Sequence, residues 1–220
     1  MLELLESDFE IESVLVTEDF QQKYATNLTR RNVQVETVAV RELESVGSFQ
    51  TNDTCLAVAR TKENAFLSLE KGEYMLVLDD IRDPGNLGTI IRVADWYGIS
   101  KIVCSPDTTD FYNPKVIAAA KGSFTRVKTY YTELPLYFEQ SEKPENRIGA
   151  FLGGETLYDF QFSKKGGYIV MGNESNGIGE AVSALITHKV TIPRVGDAES
   201  LNVGIATAVM LDNLRRQLAG

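Results

Sequence analysis

Three loops of this 220-residue chain carry residue types that could do chemistry together. The first runs Asp79-Asp80-Ile81-Arg82-Asp83-Pro84-Gly85-Asn86-Leu87-Gly88-Thr89-Ile90-Ile91-Arg92. A strand ends in acids, turns at Pro84-Gly85 and opens a helix at Asn86, a good N-cap residue. Arg92 follows nearly two turns later. Helical side chains lean toward the helix N-terminus, so Arg92 can point back at the strand ends. The same spacing also fits a plain cap and a surface ion-pair arginine. The second loop is Gly172-Asn173-Glu174-Ser175-Asn176-Gly177-Ile178-Gly179. Its glycines let the backbone approach a ligand closely. They do not form the dinucleotide pattern G-x-G-x-x-G or a Walker A loop. Glu174 would oppose a phosphate but could accept hydrogen bonds from a ribose or an amine. An ordinary strand-to-helix turn fits here too. The third stretch is Ile192-Pro193, a loop with Gly196, the trio Ser200-Leu201-Asn202, and an apolar-striped helix. Strand, tight loop and helix N-terminus make a site for a small polar ligand. Ser200 or Asn202 can equally serve only as the cap of that helix.

The remaining reactive residues point elsewhere. His188 is the sole histidine, and Cys55 and Cys104 are the only cysteines. One histidine and no clustered thiols argue against a zinc site. A Ser-His-Asp triad would have to use His188, which reads better as a helix-end or loop residue. The cysteines read as two buried free thiols.

These loops need elements to hold them. Strands are expected at residues 74–78, 101–104, 126–130, 147–152, 168–171 and 190–192. Helices are expected at 87–96, 114–120, 134–142, 179–186 and 202–218. Strands alternating with helices, apolar rather than alternating in pattern, predict an α/β fold with a mostly parallel sheet covered on both faces. Such sheets bind ligands at the carboxyl ends of their strands. Before residue 61 lies a smaller α/β pattern. Its strands are expected at 11–17, 33–40 and 54–60. Its helices are expected at 18–31, where Arg30-Arg31 would complement the helix dipole, and at 41–46, after a first helix end at residues 2–7. Residues 61–72, charged and ended by Gly72, read as a linker, giving units at 1–60 and 73–220.

Composition bounds the partners. Net charge is −9. Residues 1–50 hold ten acids against four bases, so most of the excess sits in the first quarter. This argues against generic nucleic-acid binding through phosphate neutralisation but leaves room for a local basic patch. The apolar runs are far shorter than the roughly 20 residues that a membrane span needs, and the acidic N-terminus is unlike a signal peptide. A cytoplasmic protein with no membrane partner is the expectation.

Taken together, Asn86-x-Gly88-x-x-x-Arg92, Gly172-Asn173-Glu174-x-x-Gly177, and Ile192-Pro193 with Ser200-Leu201-Asn202 and a final helix resemble the three motifs of the SpoU/TrmH family. These are RNA ribose methyltransferases of the SPOUT class. Order, spacing and placement match over about residues 74–220. The run Ala118-Ala119-Ala120-Lys121-Gly122-Ser123-Phe124 also looks like the family's small-residue helix and Gly-Ser turn. Residues 1–60 are similar to the family's N-terminal substrate-binding domain of the L30e/L7Ae type, with its opening part missing.

The resemblance implies a C-terminal trefoil knot, which pattern reading alone would never propose. It implies S-adenosylmethionine held by groups near Gly172, Asn173, Ile192 and Leu201, and methyl transfer to a ribose 2′-hydroxyl of rRNA or tRNA. Arg92 would act at the reacting oxygen, by positioning and charge stabilisation more readily than as a base, since arginine stays protonated. Asn86 and Glu174 would orient Arg92 and the loops, and Ser200 and Asn202 would shape the pocket. No metal is required. The resemblance further implies a homodimer that grips RNA, with Arg82, Lys115, Lys121, Arg126 and Arg194 as sources of local positive charge. Two other readings stay open: a non-catalytic RNA-binding or ribosome-assembly factor that keeps the fold, and an unrelated nucleotide-binding α/β enzyme.

Overall fold

The structure, a computed structural model, describes residues 1–29, 33–47, 52–141 and 146–218. The chain forms two compact units, Met1–Glu63 and Asn64–Gly220.

In the first unit, helix α1 (Leu2–Glu6) precedes strand β1 (Ile11–Val16), helices α2 (Glu18–Lys23) and α3 (Ala25–Thr29), strand β2 (Gln34–Thr37), helix α4 (Val40–Val46) and strand β3 (Cys55–Ala59). Strand β1 lies in the middle, parallel to β2 and antiparallel to β3. Its alternation turns Val14 and Val16 into a small core with Leu5, Phe20 and Leu28. The single helix expected over 18–31 is two. Thr17 caps α2 through the Phe20 amide. Tyr24 then leaves helical geometry, with φ −121°, ahead of a run of weak helix formers, Thr26-Asn27. Arg30 and Arg31 lie outside the described residues.

The second unit holds β4 (Tyr74–Leu78), α5 (Pro84–Trp96), β5 (Lys101–Cys104), α6 (Pro114–Ala120), a 3-10 turn (Ser123–Thr125), β6 (Lys128–Tyr131), α7 (Leu134–Gln140), β7 (Arg147–Thr156), β8 (Gly167–Met171), α8 (Glu180–Ser183), β9 (His188–Thr191) and α9 (Val203–Leu218). The sheet order is β6-β5-β4-β8-β7-β9, with every neighbouring pair parallel. Central strands β4 and β8 are buried at every residue, which is why both read as unbroken apolar runs. Their period-two alternation still sorts two cores. Leu76, Leu78, Ile169 and Met171 meet Leu87, Ile90, Ile91, Met210 and Leu214 on the face covered by α5 and α9. Met75, Val77, Tyr168 and Val170 meet Tyr137, Phe138 and Val182 on the other.

Several expectations shift. Helix α5 begins at Pro84 rather than Leu87, because Asp83 supplies the cap. The helix expected over 179–186 is a single turn, and the strand expected at 126–130 starts two residues later, after the 3-10 turn. His188 is neither at a helix end nor in a loop: it opens β9, with its ring 5.5 Å from that of Phe160. Residues 64–72 have no helix or strand, yet they are fastened to the second unit. Asn64 exchanges side-chain bonds with the Tyr131 backbone (2.9 and 2.8 Å), Tyr137 donates to the Leu67 carbonyl (2.7 Å), and Lys101 donates to that of Ser68 (3.0 Å). Cys104 is buried and Cys55 half-buried; both are free thiols. Among the described residues no helix is long and apolar enough to cross a membrane.

Two contacts hold α5 to its neighbours. A Cβ on Gly88 would lie 2.4 Å from the Ala119 Cβ and 2.8 Å from the Val116 oxygen, so α5 and α6 touch backbone to backbone. Gly88→Ala therefore forces the helices apart, and we expect a loss of about 1–3 kcal/mol in urea unfolding of the second unit. Arg126 grips the Asp95 carboxylate, with Nε 3.0 Å from both oxygens and Nη2 2.7 Å from Oδ2. Burial works to raise the Asp95 carboxyl, but the bonds from Arg126 and Ser123 and the guanidinium charge outweigh it and hold it below its usual range. A depressed acid contributes stability above its unfolded pKa, about 3.9, and loses it as pH falls through the lower folded value. Arg126→Ala should flatten that acid-side decline in unfolding measured against pH.

Candidate active site

The first loop is built by a cap in an unexpected place. Asp83 accepts the Asn86 amide (2.7 Å), and Pro84 fills the first helical position, where no N–H is needed. Asn86 is thus the third residue of α5, not its cap, and its side chain is free to work. Its Nδ2 donates to Glu174 of the second loop. Its Oδ1 accepts from Asn202 Nδ2 of the third (2.7 Å). Asn202 in turn caps α9: its Oδ1 accepts the amides of Gly204 (3.0 Å) and Ile205 (3.3 Å). That cap fixes the sense of the chain. With its oxygen committed to α9, Asn202 can offer only N–H to Asn86. Asn86 must then present oxygen to Asn202 and N–H to the carboxylate.

Strands β4 and β8 lie side by side, so their carboxyl ends deliver the first two loops to one place. Asp79 N–H donates to the Met171 carbonyl (2.9 Å), and Asp79 Oδ2 accepts from Gly179 N–H (2.7 Å). Burial raises the Asp79 carboxyl; the Gly179 bond opposes this, and the charges of Asp80 and Asp107 add to it. Gly172 has no room for a side chain, since a Cβ would sit 2.2 Å from the Gly177 carbonyl carbon. Asn173 staples the turn. Its backbone pairs with Gly177 in both directions (2.9 and 2.8 Å), its Oδ1 accepts from Ser175 and Asn176, and its Nδ2 reaches the Asp80 carbonyl (2.8 Å). Asp80 holds a left-handed φ of 60° and donates its N–H to Ser105 Oγ (2.8 Å). Asp79 and Ser105 escaped sequence reasoning. The acids at the strand end were a signal for Asp79; nothing local marked Ser105.

The third loop comes from β9 at the sheet edge, yet α9 packs against α5. A Cβ on Gly204 would meet Thr89 Cγ2 at 2.9 Å. Ile192 packs against the core beneath α5 and α9, whereas Leu201 is 47% exposed. Arg194 folds the loop on itself by donating to the Ala198 carbonyl (3.2 Å). Ser200 and Arg92 are exposed. Neither side chain has a hydrogen bond or ion pair among the described residues. The structure therefore ties Asn86, Glu174 and Asn202 directly together, sets Gly172 and Asn173 beside them, and leaves Arg92, Ser200 and Leu201 open to solvent.

Other chemistry is distant or blocked. His188 starts β9, at the opposite end of the parallel sheet from these loops. Burial pushes the Cys104 thiol up to about 12, so it stays protonated and unreactive. Among the described residues no three His, Cys, Asp or Glu side chains gather to hold a metal.

Residues 73–212 match the family model described as the SpoU rRNA Methylase family. The 23S rRNA (guanosine(2553)-2′-O)-methyltransferase RlmP of Bacillus subtilis (strain 168) is 30% identical over 172 residues, covering 78% of this chain and 68% of that protein. The 23S rRNA (guanosine-2′-O-)-methyltransferase RlmB of Neisseria meningitidis serogroup B is 31% identical over 159 residues, covering 70% of this chain and 63% of that one. A Porphyromonas gingivalis structure assigned to the TrmH family of RNA methyltransferases superposes with TM-score 0.83 at 30% identity, covering 98% of this chain and 86% of the other. An AdoMet-bound rRNA methyltransferase from Sinorhizobium meliloti superposes with TM-score 0.84 at 26% identity, covering 99% and 85%. With residues 73–212 matched by the family model, the chain belongs to the SpoU rRNA methylase family.

Proposed function

We propose that this chain transfers a methyl group from S-adenosylmethionine to a ribose 2′-hydroxyl of ribosomal or transfer RNA. The observation that carries the reading is the hydrogen-bonded line Asn202–Asn86–Glu174, which joins the three loops, with the exposed Arg92 on the same helix as Asn86. The named activities of the Bacillus and Neisseria relatives support the reaction, and the AdoMet-bound neighbour supports the cofactor.

The residues present fit that cofactor. Bare backbone at Gly172, where a Cβ would strike the facing turn, would offer peptide groups to its polar parts. Half-buried Ile192 and half-exposed Leu201 would give its adenine an apolar slot. Asn173 would keep the second loop in shape. When bound, S-adenosylmethionine supplies an electrophilic methyl on a positively charged sulfur, which needs no metal.

The chain's own side chains do the rest. The Arg92 guanidinium holds a phosphate beside the target ribose and stabilises negative charge growing on the 2′-oxygen. Asn86 fixes Glu174, and through it the second loop, relative to α5. Ser200 and Asn202 shape the wall nearest α9. The named activities of the relatives favour catalysis over a non-catalytic RNA-binding or assembly role. The reading extends to a trefoil knot closed by the β9–α9 segment, a homodimer, an L30e-like substrate-binding role for the first unit, and a cytoplasmic site of action. The return of α9 from an edge strand to α5 supports the knot.

Calorimetric titration should show S-adenosylmethionine and S-adenosylhomocysteine binding; no heat at high micromolar ligand would sink the proposal. Arg92→Ala should leave that binding intact and lower methyl transfer about 100-fold or more. Asn86→Asp sets a carboxylate against Glu174. The Asn86 donor is lost and like charges face each other, so we expect weakened cofactor binding in the same titration.

A further inference from the structure

One ridge of α5 is left unused by the site as described. Trp96 is the chain's sole tryptophan and is 84% exposed. It stands one helical turn beyond Arg92, on the same face. No ring contact or hydrogen bond engages it among the described residues. A second cation lies alongside. Ala119 and Ala120 meet α5 at Gly88, and Ser123 and Arg126 meet it at Asp95, so the intervening Lys121 passes the turn that carries Arg92. Lys121 is exposed and has no ion pair among the described residues. Its backbone is strained. With φ 58° and ψ −60°, and with Gly122 N–H bonded to the Ala120 carbonyl (3.0 Å), it forms the γ-turn that non-glycine residues rarely adopt. Strain of this kind persists where the surroundings impose it, and it gathers at working sites. On a chain of net charge −9, two unpaired cations beside a bare indole mark this ridge for a polyanion with flat apolar faces.

We infer that Trp96 stacks on an unpaired base of the substrate RNA next to the methylated ribose, with Arg92 and Lys121 on the flanking phosphates. The inference rests on the proposed RNA substrate. It narrows that substrate to a single-stranded loop or bulge, since a base within a duplex offers no free face.

The sole tryptophan makes the test direct. Emission of the full chain is followed during titration with single-stranded U12 and A12 RNA, and with a 12-base-pair RNA duplex. Methyl transfer is measured on unmodified ribosomal RNA and tRNA transcripts. Both single strands should quench Trp96 and the duplex should not. Trp96→Ala should raise the RNA KM between about 5- and 100-fold with cofactor binding unchanged, and Trp96→Phe should restore most of it. Lys121→Gly should melt at higher temperature, because glycine relieves the γ-turn, yet bind U12 less tightly and reduce the salt slope by about 0.7. A merely structural Lys121 would not couple those two changes. An unchanged KM in Trp96→Ala, or emission already blue-shifted in the free protein and unmoved by RNA, would overturn the inference; the second result would put Trp96 between two copies of the chain. Failure of the methyltransferase reading registers separately, as wild-type protein that binds no S-adenosylmethionine.

Discussion

The Asn86 amide is the joint on which the site depends. It receives from one loop and gives to another, and its own backbone belongs to the third. A neutral amide suits this post because it donates and accepts at once. An aspartate could only accept and a lysine only donate. The direction of the chain is set outside the site, by the need of α9 for a cap. A requirement of helix termini thereby becomes a constraint on where a carboxylate points.

Helix α5 is the member to which the rest of the second unit is fitted. Gly88 admits α6 to backbone contact, and Thr89 meets the start of α9. Asp95 is held by Arg126. The last turn is closed from α9, where Arg215 donates to the Tyr97 and Gly98 carbonyls. Beneath it the central strands are buried on both faces. Arg92 can therefore project without support of its own, because the helix carrying it is fixed at both ends.

The frame of the second unit was legible in the sequence because its central strands are apolar on both faces and helices α5 and α6 begin with proline after a capping Asp or Asn. Strands at Tyr74–Leu78 and Lys101–Cys104 and the helix at Pro114–Ala120 stand where the pattern put them. The parallel sheet follows from the same signals. What pattern reading misplaced was decided by competition between neighbours. Asp83 and Asn86 are both good caps, and Asp83 prevails because Pro84 suits the position after it. The loop Gly179–Ile186 has helical periodicity for only one turn before β9 must begin. His188 belongs to a strand because its neighbours Lys189 and Val190 pair with β7. The link from Asn202 to Asn86 lay beyond local reading altogether, since 116 positions separate the partners.

That separation has a kinetic meaning. The three loops are joined by contacts that span 88 and 116 positions, and closing such distances is entropically costly before any bond rewards it. The β4–β8 pairing is as long-range, but it does not require α9; the amide line requires both, so it is complete only when α9 is docked on α5. Catalytic competence becomes a more sensitive gauge of the molecule's integrity than its secondary structure, and would fade with α9's undocking while most of the sheet still stands.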